Sequence, residues 1–277
     1  MTTVDVDVLM VAHRRADYLA LSLPRMLDSL PEGARAWVWQ NESFPDTTAV
    51  IDRHRSHPRF HRFHHSPENL RLAAATNWLW KESEGALVGK VDDDCLVTDG
   101  WIEEFIDAHA TPGLGIIAAW HFPPEDLLPT TVADRTLPLG NGRSLIRSCW
   151  VGGSGYLMKR ACIHDGGRLA DHRGFTTFCL ELAIKGWDLG WHYPLVLQDH
   201  MDDPRSKNSG IRTDEDLRER SPLGARRMSE PSVAAWEAQL RASARTVQTA
   251  SLRPADHLGW KRRLRRCLTG PWSRGNG

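Results

Sequence analysis

Through residues 1–120, short apolar runs rich in β-branched side chains alternate with amphipathic stretches. That alternation restricts the chain to an α/β fold, a mainly parallel central sheet flanked by helices. Residues 6–11 read as a buried strand. A helix follows, with Asp17 placed to cap it, Leu19, Leu23, Met26, Leu27 and Leu30 on its apolar side, and Pro24 expected to kink it. Residues 36–39 form a second strand that closes on Gln40-Asn41-Glu42-Ser43, and residues 60–63 a weaker one. Residues 70–80 are Ala-rich and helical, 86–91 a strand, 101–106 a helix stripe and 115–120 a strand. Ligands of such sheets bind beyond the carboxyl ends of the strands, so the loops after Val11, Trp39 and Val91 are where function is expected.

The pattern then changes. Residues 121–150 contain Pro123, Pro124, Pro129 and Pro138 with Gly140 and Gly142, and read as a long irregular segment. A strand at 156–159, a helix at 175–185 and a strand at 191–198 resume the fold. Farther on, Pro231 suits the start of a helix carrying Val233, Trp236, Leu240 and Val247 on one stripe. The expected division is a domain over residues 1–210 and a helical extension over 211–277.

Bulk properties exclude several classes. A hydrophobic share of 41% and a charged share of 25% are those of a folded globular chain, and a formal net charge of zero gives no electrostatic case for nucleic acid. Cys95, Cys149, Cys162, Cys179 and Cys267 form no CxxC pair, which fits a reducing cytoplasm rather than a disulfide framework or a thiolate zinc site. Residues 1–11 carry Asp5 and Asp7 and no basic residue, unlike a signal peptide. No apolar run approaches the roughly 20 residues of a membrane helix. Trp260, Leu264 and Leu268 share a face among five Lys and Arg, which allows peripheral membrane contact at most.

Lys90-Val91-Asp92-Asp93-Asp94-Cys95 is the segment with the most chemistry in it. A buried strand ends and three carboxylates follow, an arrangement opposed by charge repulsion unless something positive lies among them. Oxygen ligands without thiolate or imidazole beside them favour Mg²⁺ or Mn²⁺. On an extended backbone Asp92 and Asp94 can face one way and Asp93 another. An ion held there could orient a diphosphate and neutralise a departing phosphate.

Four segments occur in order: Val8 to Arg14, Val38 to Ser43, Glu68 to Asn77, and Val91 to Asp94. Together they resemble the family-2 glycosyltransferases of the glycosyltransferase A fold, Asp-x-Asp type, over about residues 4–205. The resemblance implies a nucleotide-diphosphate sugar donor of UDP, GDP or dTDP type, an acceptor it does not identify, and Mn²⁺ or Mg²⁺. It places Ala12, His13 and Arg14 beside the nucleotide, Asn41 and Glu42 near the base, and Asn69, Arg71 and Asp93 among the other donor contacts. Asp92 would touch ribose or metal, Asp94 would be the main metal ligand, and His200 would complete the site. Arg205 and Lys207 could grip the diphosphate. The glycines at 152, 153 and 155 resemble the family's Gly-rich approach to the acceptor.

One part of the family pattern is missing. The Glu-Asp pair that usually supplies the catalytic base is replaced by Gly174-Phe175-Thr176-Thr177. Asp171, three residues upstream, is the preferred base for an inverting displacement, and Glu181, one turn inside the helix, is the second candidate. A catalytically inactive nucleotide-sugar-binding module is the alternative that this departure favours. A sugar nucleotidyltransferase would carry a Gly-rich loop after the first strand, whereas no glycine precedes Gly33.

Overall fold

The computed structural model describes residues 5–170, 173–226 and 228–257, so Asp171 and the basic stretch at 260–268 lie outside the described residues. Eleven strands occur among them: β1 (Val6–Ala12), β2 (Ala34–Asn41), β3 (Phe60–Ser66), β4 (Leu87–Asp92), β5 (Cys95–Val97), β6 (Leu114–Ala118), β7 (Thr136–Gly140), β8 (Arg143–Arg147), β9 (Tyr156–Lys159), β10 (Asp188–Tyr193) and β11 (Gln198–His200). The helices are α1 (Ala16–Ser29), α2 (Pro45–His54), α3 (Arg71–Glu82), α4 (Trp101–Ala108), α5 (Pro129–Ala133), α6 (Ala161–Gly166), α7 (Phe175–Ile184), α8 (Asp214–Arg220), α9 (Pro222–Ala225) and α10 (Val233–Thr249). Nine strands join in one sheet of order β3-β2-β1-β4-β9-β6-β10-β8-β7, and β11 pairs with β5 in a second. Strands β3, β2, β1 and β4 run parallel, as do β6 and β10, while β9 lies antiparallel between β4 and β6.

The sheet is buried on both faces because β1 is apolar at nearly every position. Val6, Val8, Met10 and Ala12 point to one core with Leu19, Leu23, Met26 and Leu27 of α1, whereas Leu9 and Val11 point to another with Ala75 and Leu79 of α3. Each fully buried Leu or Met of α1 contributes about 1.5–3 kcal/mol. Pro24 sits inside α1 without ending it. Asp17 is not the cap: the helix opens at Ala16 after Arg15, and Asp17 lies in the first turn, where a negative charge suits the helix dipole.

Two sequence expectations are corrected. Residues 121–150 are not irregular throughout, since β7 and β8 form a hairpin whose turn places Gly140, Asn141 and Gly142 at φ of 88°, 53° and 73°. Pro138 is tolerated there because β7 is the outermost strand, where a missing N–H need break no ladder. Residues 191–198 do not form one strand. The chain turns at Pro194 between β10 and β11, so the apolar run is shared by two sheets.

Asp7 is a fully buried carboxylate at the start of β1. It accepts from Arg35 Nε (2.7 Å) and Nη2 (3.0 Å), Trp37 Nε1 (2.7 Å) and the Gly85 amide (2.7 Å). Burial raises its pKa, but these donors more than offset that and hold the carboxyl below the usual carboxylate range. A depressed folded pKa contributes stability that is present above the unfolded value near ~3.9 and is lost as pH falls through the folded one. Asp7→Ala should cost about 3 kcal/mol in urea unfolding at neutral pH, the low end for a broken buried pair. The low end applies because Arg35 remains 33% exposed and can rehydrate. A loss below about 1 kcal/mol would mean that the Arg35 and Trp37 donors rehydrate freely.

Candidate active site

The strand register brings three loops together. Val11 lies opposite Trp39 of β2 and opposite Asp92 of β4, so the loops after β1, β2 and β4 open at one end of the sheet. The antiparallel pairing of β11 with β5 then sets His200 opposite Cys95, and the Met201 amide donates to the Asp94 carbonyl at 2.8 Å. Residues more than a hundred positions apart in sequence thereby form one cluster.

Ligand-type atoms of Asp94, His200 and Asp202 all lie within 4.8 Å of one another. His200 Nε2 is 3.9 Å from Asp94 Oδ2. Asp92 is not in this group. Its carboxylate is paired with the buried Lys90 ammonium, and its amide donates to Ser154 Oγ at 2.9 Å. Asp202 was visible in the sequence but not singled out; it stands two residues after His200, the same spacing as Asp92 and Asp94, and that spacing was the available signal.

Arg15 was likewise missed. Its Nη2 donates to Asp93 Oδ1 (2.8 Å) and Asp94 Oδ2 (3.0 Å), and its Nη1 to both oxygens of Asp202 (3.0 Å each). Burial disfavours the guanidinium charge, but Asp93, Asp94 and Asp202 more than restore it and raise its pKa. For Asp94 burial again opposes ionisation, yet Arg15 and His200 prevail and hold the carboxyl at about 2. Asp93 has no such surplus: burial, together with Asp94 and Asp92, pushes it up to about 7 against the pull of Arg15. Burial, and after it the Asp94 charge, also raises Asp202.

Four carboxylates (Asp92, Asp93, Asp94 and Asp202) thus share two basic side chains, Lys90 and Arg15. Fully ionised, the cluster carries two negative charges in excess, which is the charge of one divalent cation. Carboxylate oxygens with a single imidazole make a donor set that suits Mn²⁺ or Mg²⁺.

Beside this cluster lies a rim of the predicted donor contacts. Ala12 is the buried last residue of β1. The His13 amide donates to Asp93 Oδ2 at 2.9 Å, and His13 Nε2 is 3.1 Å from both Glu42 Oε2 and Asn69 Nδ2. Asn41 is buried and accepts at Oδ1 from the Leu70 amide (3.0 Å) and Trp39 Nε1 (3.2 Å). Arg14, Glu42 and Arg71 adopt φ of 64°, 67° and 62° without being glycine. Backbone held in this region costs of order ~1–3 kcal/mol per residue and gathers at functional sites. Here all three mark the same opening.

Other predicted residues are placed differently. Arg205 is committed to Asp203 through Nη2 (2.7 Å) and to Asp126 through Nη1 (2.9 Å), while Lys207 is exposed. Glu181 lies inside α7 with its carboxylate paired to Arg173. Gly155 has φ of 62°, a conformation that favours glycine, and a Cβ there would also come within 2.3 Å of Gln198 Oε1. Gln198 in turn holds the Ser154 carbonyl at 3.0 Å, beside the amide of Asp92.

The family model described as glycosyl transferase family 2 matches residues 7–150. No curated protein sequence matches the chain. Among solved structures, the mannosyltransferase PcManGT from Pyrobaculum calidifontis in complex with GDP-Man and Mn²⁺ is similar over 97% of this chain and 81% of its own, with TM-score 0.60 and 16% identity. A fragment of S. aureus TarS, residues 1–349, is similar over 93% of this chain and 76% of its own, with TM-score 0.54 and 12% identity. A longer TarS chain gives TM-score 0.56 and 14% identity, and only 46% of it is covered. At such identities the likeness to these structures is one of fold.

Proposed function

The chain belongs to glycosyl transferase family 2, and from that premise we propose a metal-dependent transfer in which a sugar leaves a nucleotide diphosphate for an acceptor hydroxyl with inversion. The protein is a nucleotide-sugar-dependent glycosyltransferase of the glycosyltransferase A fold. The observation that carries the metal dependence is the convergence of Asp94, His200 and Asp202 at the mouth of the parallel strands, where carboxylates outnumber the cations paired with them.

In this reading Asp94, His200 and Asp202 hold Mn²⁺ or Mg²⁺, with Asp92 restrained beside them by Lys90. Bound there, the ion supplies Lewis-acid stabilisation of the departing diphosphate. The chain's own residues do the rest. Glu42, Asn41, His13 and Asn69 border the base and ribose, and the left-handed turns at Arg14, Glu42 and Arg71 shape the opening they line. Arg205 supports the segment after β11 instead of the diphosphate, because two carboxylates already saturate its fork. With Glu181 taken by Arg173, the acceptor proton goes to Asp171.

Residues 1–210 act as the catalytic domain in this scheme and 211–277 as the extension. Trp236 of α10 already donates to the Asp202 carbonyl at 2.8 Å, which ties the extension to the ion site. No described helix is long and apolar enough to cross a membrane.

The decisive experiment is a calorimetric titration with UDP, GDP and dTDP, each with and without Mn²⁺. One nucleotide should bind with a dissociation constant of about 1–100 μM in the range ordinary for such substrates, and should lose most of that affinity without metal. Equal binding in both conditions would remove the metal from the scheme, and no binding by any nucleotide would remove the donor assignment.

A further inference from the structure

Arg15, just ahead of α1, and Tyr18 and Ser22 of α1 together reach both halves of the ion site. Arg15 bridges Asp93 and Asp94 on one side and both oxygens of Asp202 on the other. Three residues on, the Tyr18 hydroxyl donates to the Met201 carbonyl at 2.9 Å and accepts from the Gly210 amide at 2.7 Å. One turn farther, Ser22 Oγ donates to the Asp93 carbonyl at 2.8 Å. Tyr18 and Ser22, four apart, share a face of α1, and with Arg15 at its start they grip the acidic triplet and the segment after β11.

We propose that Arg15 is a positioning residue that holds residues 200–211 against the acidic triplet, so the ion site keeps its shape when no ion is bound. This rests on the reading of Asp94, His200 and Asp202 as ion ligands. The reason is electrostatic. Asp94 and Asp202 belong to distant parts of the chain and repel each other, and burial has removed most of the water that would screen them. A guanidinium places separate N–H groups toward two carboxylates in a fixed plane, which a single ammonium cannot do. Trp236 and Arg205 also hold this segment, but through the Asp202 carbonyl and Asp203, and neither neutralises the Asp202 carboxylate. Among the described side chains Arg15 donates to carboxylates of both halves, and in this role it acts through the ligands it orients.

The test is amide hydrogen exchange on the full chain, metal-free and then with Mn²⁺, for the parent protein, Arg15→Ala and Arg15→Lys. In both variants the amides of Met201, bonded to the Asp94 carbonyl, and Asp203, bonded to the His200 carbonyl, should exchange about ten-fold faster without metal, while those of β1 and β2 stay unchanged. Added Mn²⁺ should restore slow exchange, and the variants should need about ten-fold more Mn²⁺ to do so, because part of the binding energy goes into re-forming the site. Unchanged local exchange in the metal-free variants would overturn the proposal. So would tighter Mn²⁺ binding, the result expected if Arg15 only repelled the ion. If Arg15→Ala loses protection everywhere it has failed to fold, and Arg15→Lys decides by the same criteria. Absence of Mn²⁺ binding to the parent protein in a calorimetric titration would instead sink the ion reading, while the metal-free exchange comparison would still decide the role of Arg15.

Discussion

Asp94→Ala is expected to lower kcat/KM for sugar transfer by about 10³-fold or more, roughly 4 kcal/mol of transition-state stabilisation at 1.36 kcal/mol per tenfold. Asp94 is the carboxylate most firmly ionised in the cluster, held at about 2 by Arg15 and His200 against the effect of burial. It is thus the oxygen donor that a divalent ion can use at any working pH. Its removal would leave His200 and Asp202 as an incomplete set, and Mn²⁺-dependent nucleotide binding should disappear with activity. The fold should survive. Deleting one of several mutually repelling carboxylates relieves Asp93 and Asp202, whose pKa values are raised partly by Asp94. Thermal melting should therefore fall only modestly in the metal-free variant, because this relief offsets part of the lost pairing with Arg15 and His200. Transfer within ten-fold of the parent rate, with an unchanged metal requirement, would show that the ion sits elsewhere.

Much of this site could be read from residue order, and the reason is local. Strand ends, the Asp92-Asp93-Asp94 run and the Asn69 turn into α3 are written in contiguous residues, and the structure brings their side chains to one opening. What could not be read depends on pairings between distant segments. The family resemblance reaches His200, but the β11–β5 ladder that carries Asp202 to Asp94 is built from only three residues on each side, and three residues carry almost no periodicity. Arg15 looked like one more cation after His13 and Arg14, since nothing local shows that three carboxylates surround it. The same limit explains the hairpin of β7 and β8: its turn residues were visible, but the prolines in the segment argued for loop, and Pro138 is harmless only because of an edge position that the sheet order sets.

A comparable loss is expected for Asp171→Asn, for a different reason. An inverting displacement needs a carboxylate that accepts the proton of the attacking hydroxyl, and general-base catalysis of this kind contributes about 10²–10⁴-fold. The amide of Asn keeps the size of the side chain and cannot take the proton, so kcat should fall by about that factor while donor KM and the Mn²⁺ requirement stay put. The pairing of Glu181 with Arg173 sharpens the contrast. Glu181→Gln removes an ion pair whose two members are 32% and 21% exposed, which costs about 1 kcal/mol or less and should leave kcat within a few-fold. The positions around Asp171 are held from outside the loop. Asn77 on α3 bonds both the amide (3.0 Å) and the carbonyl (2.9 Å) of Leu169, and Ala170 pairs with Arg173. Steady-state kinetics of the two variants, with pH profiles, separates the possibilities: the acid limb of kcat should vanish in Asp171→Asn and persist in Glu181→Gln. If Glu181→Gln shows the larger loss, the base is Glu181 and Arg173 must release it during turnover. If neither variant falls by more than about ten-fold, neither Asp171 nor Glu181 takes the proton, and the base lies elsewhere in the site.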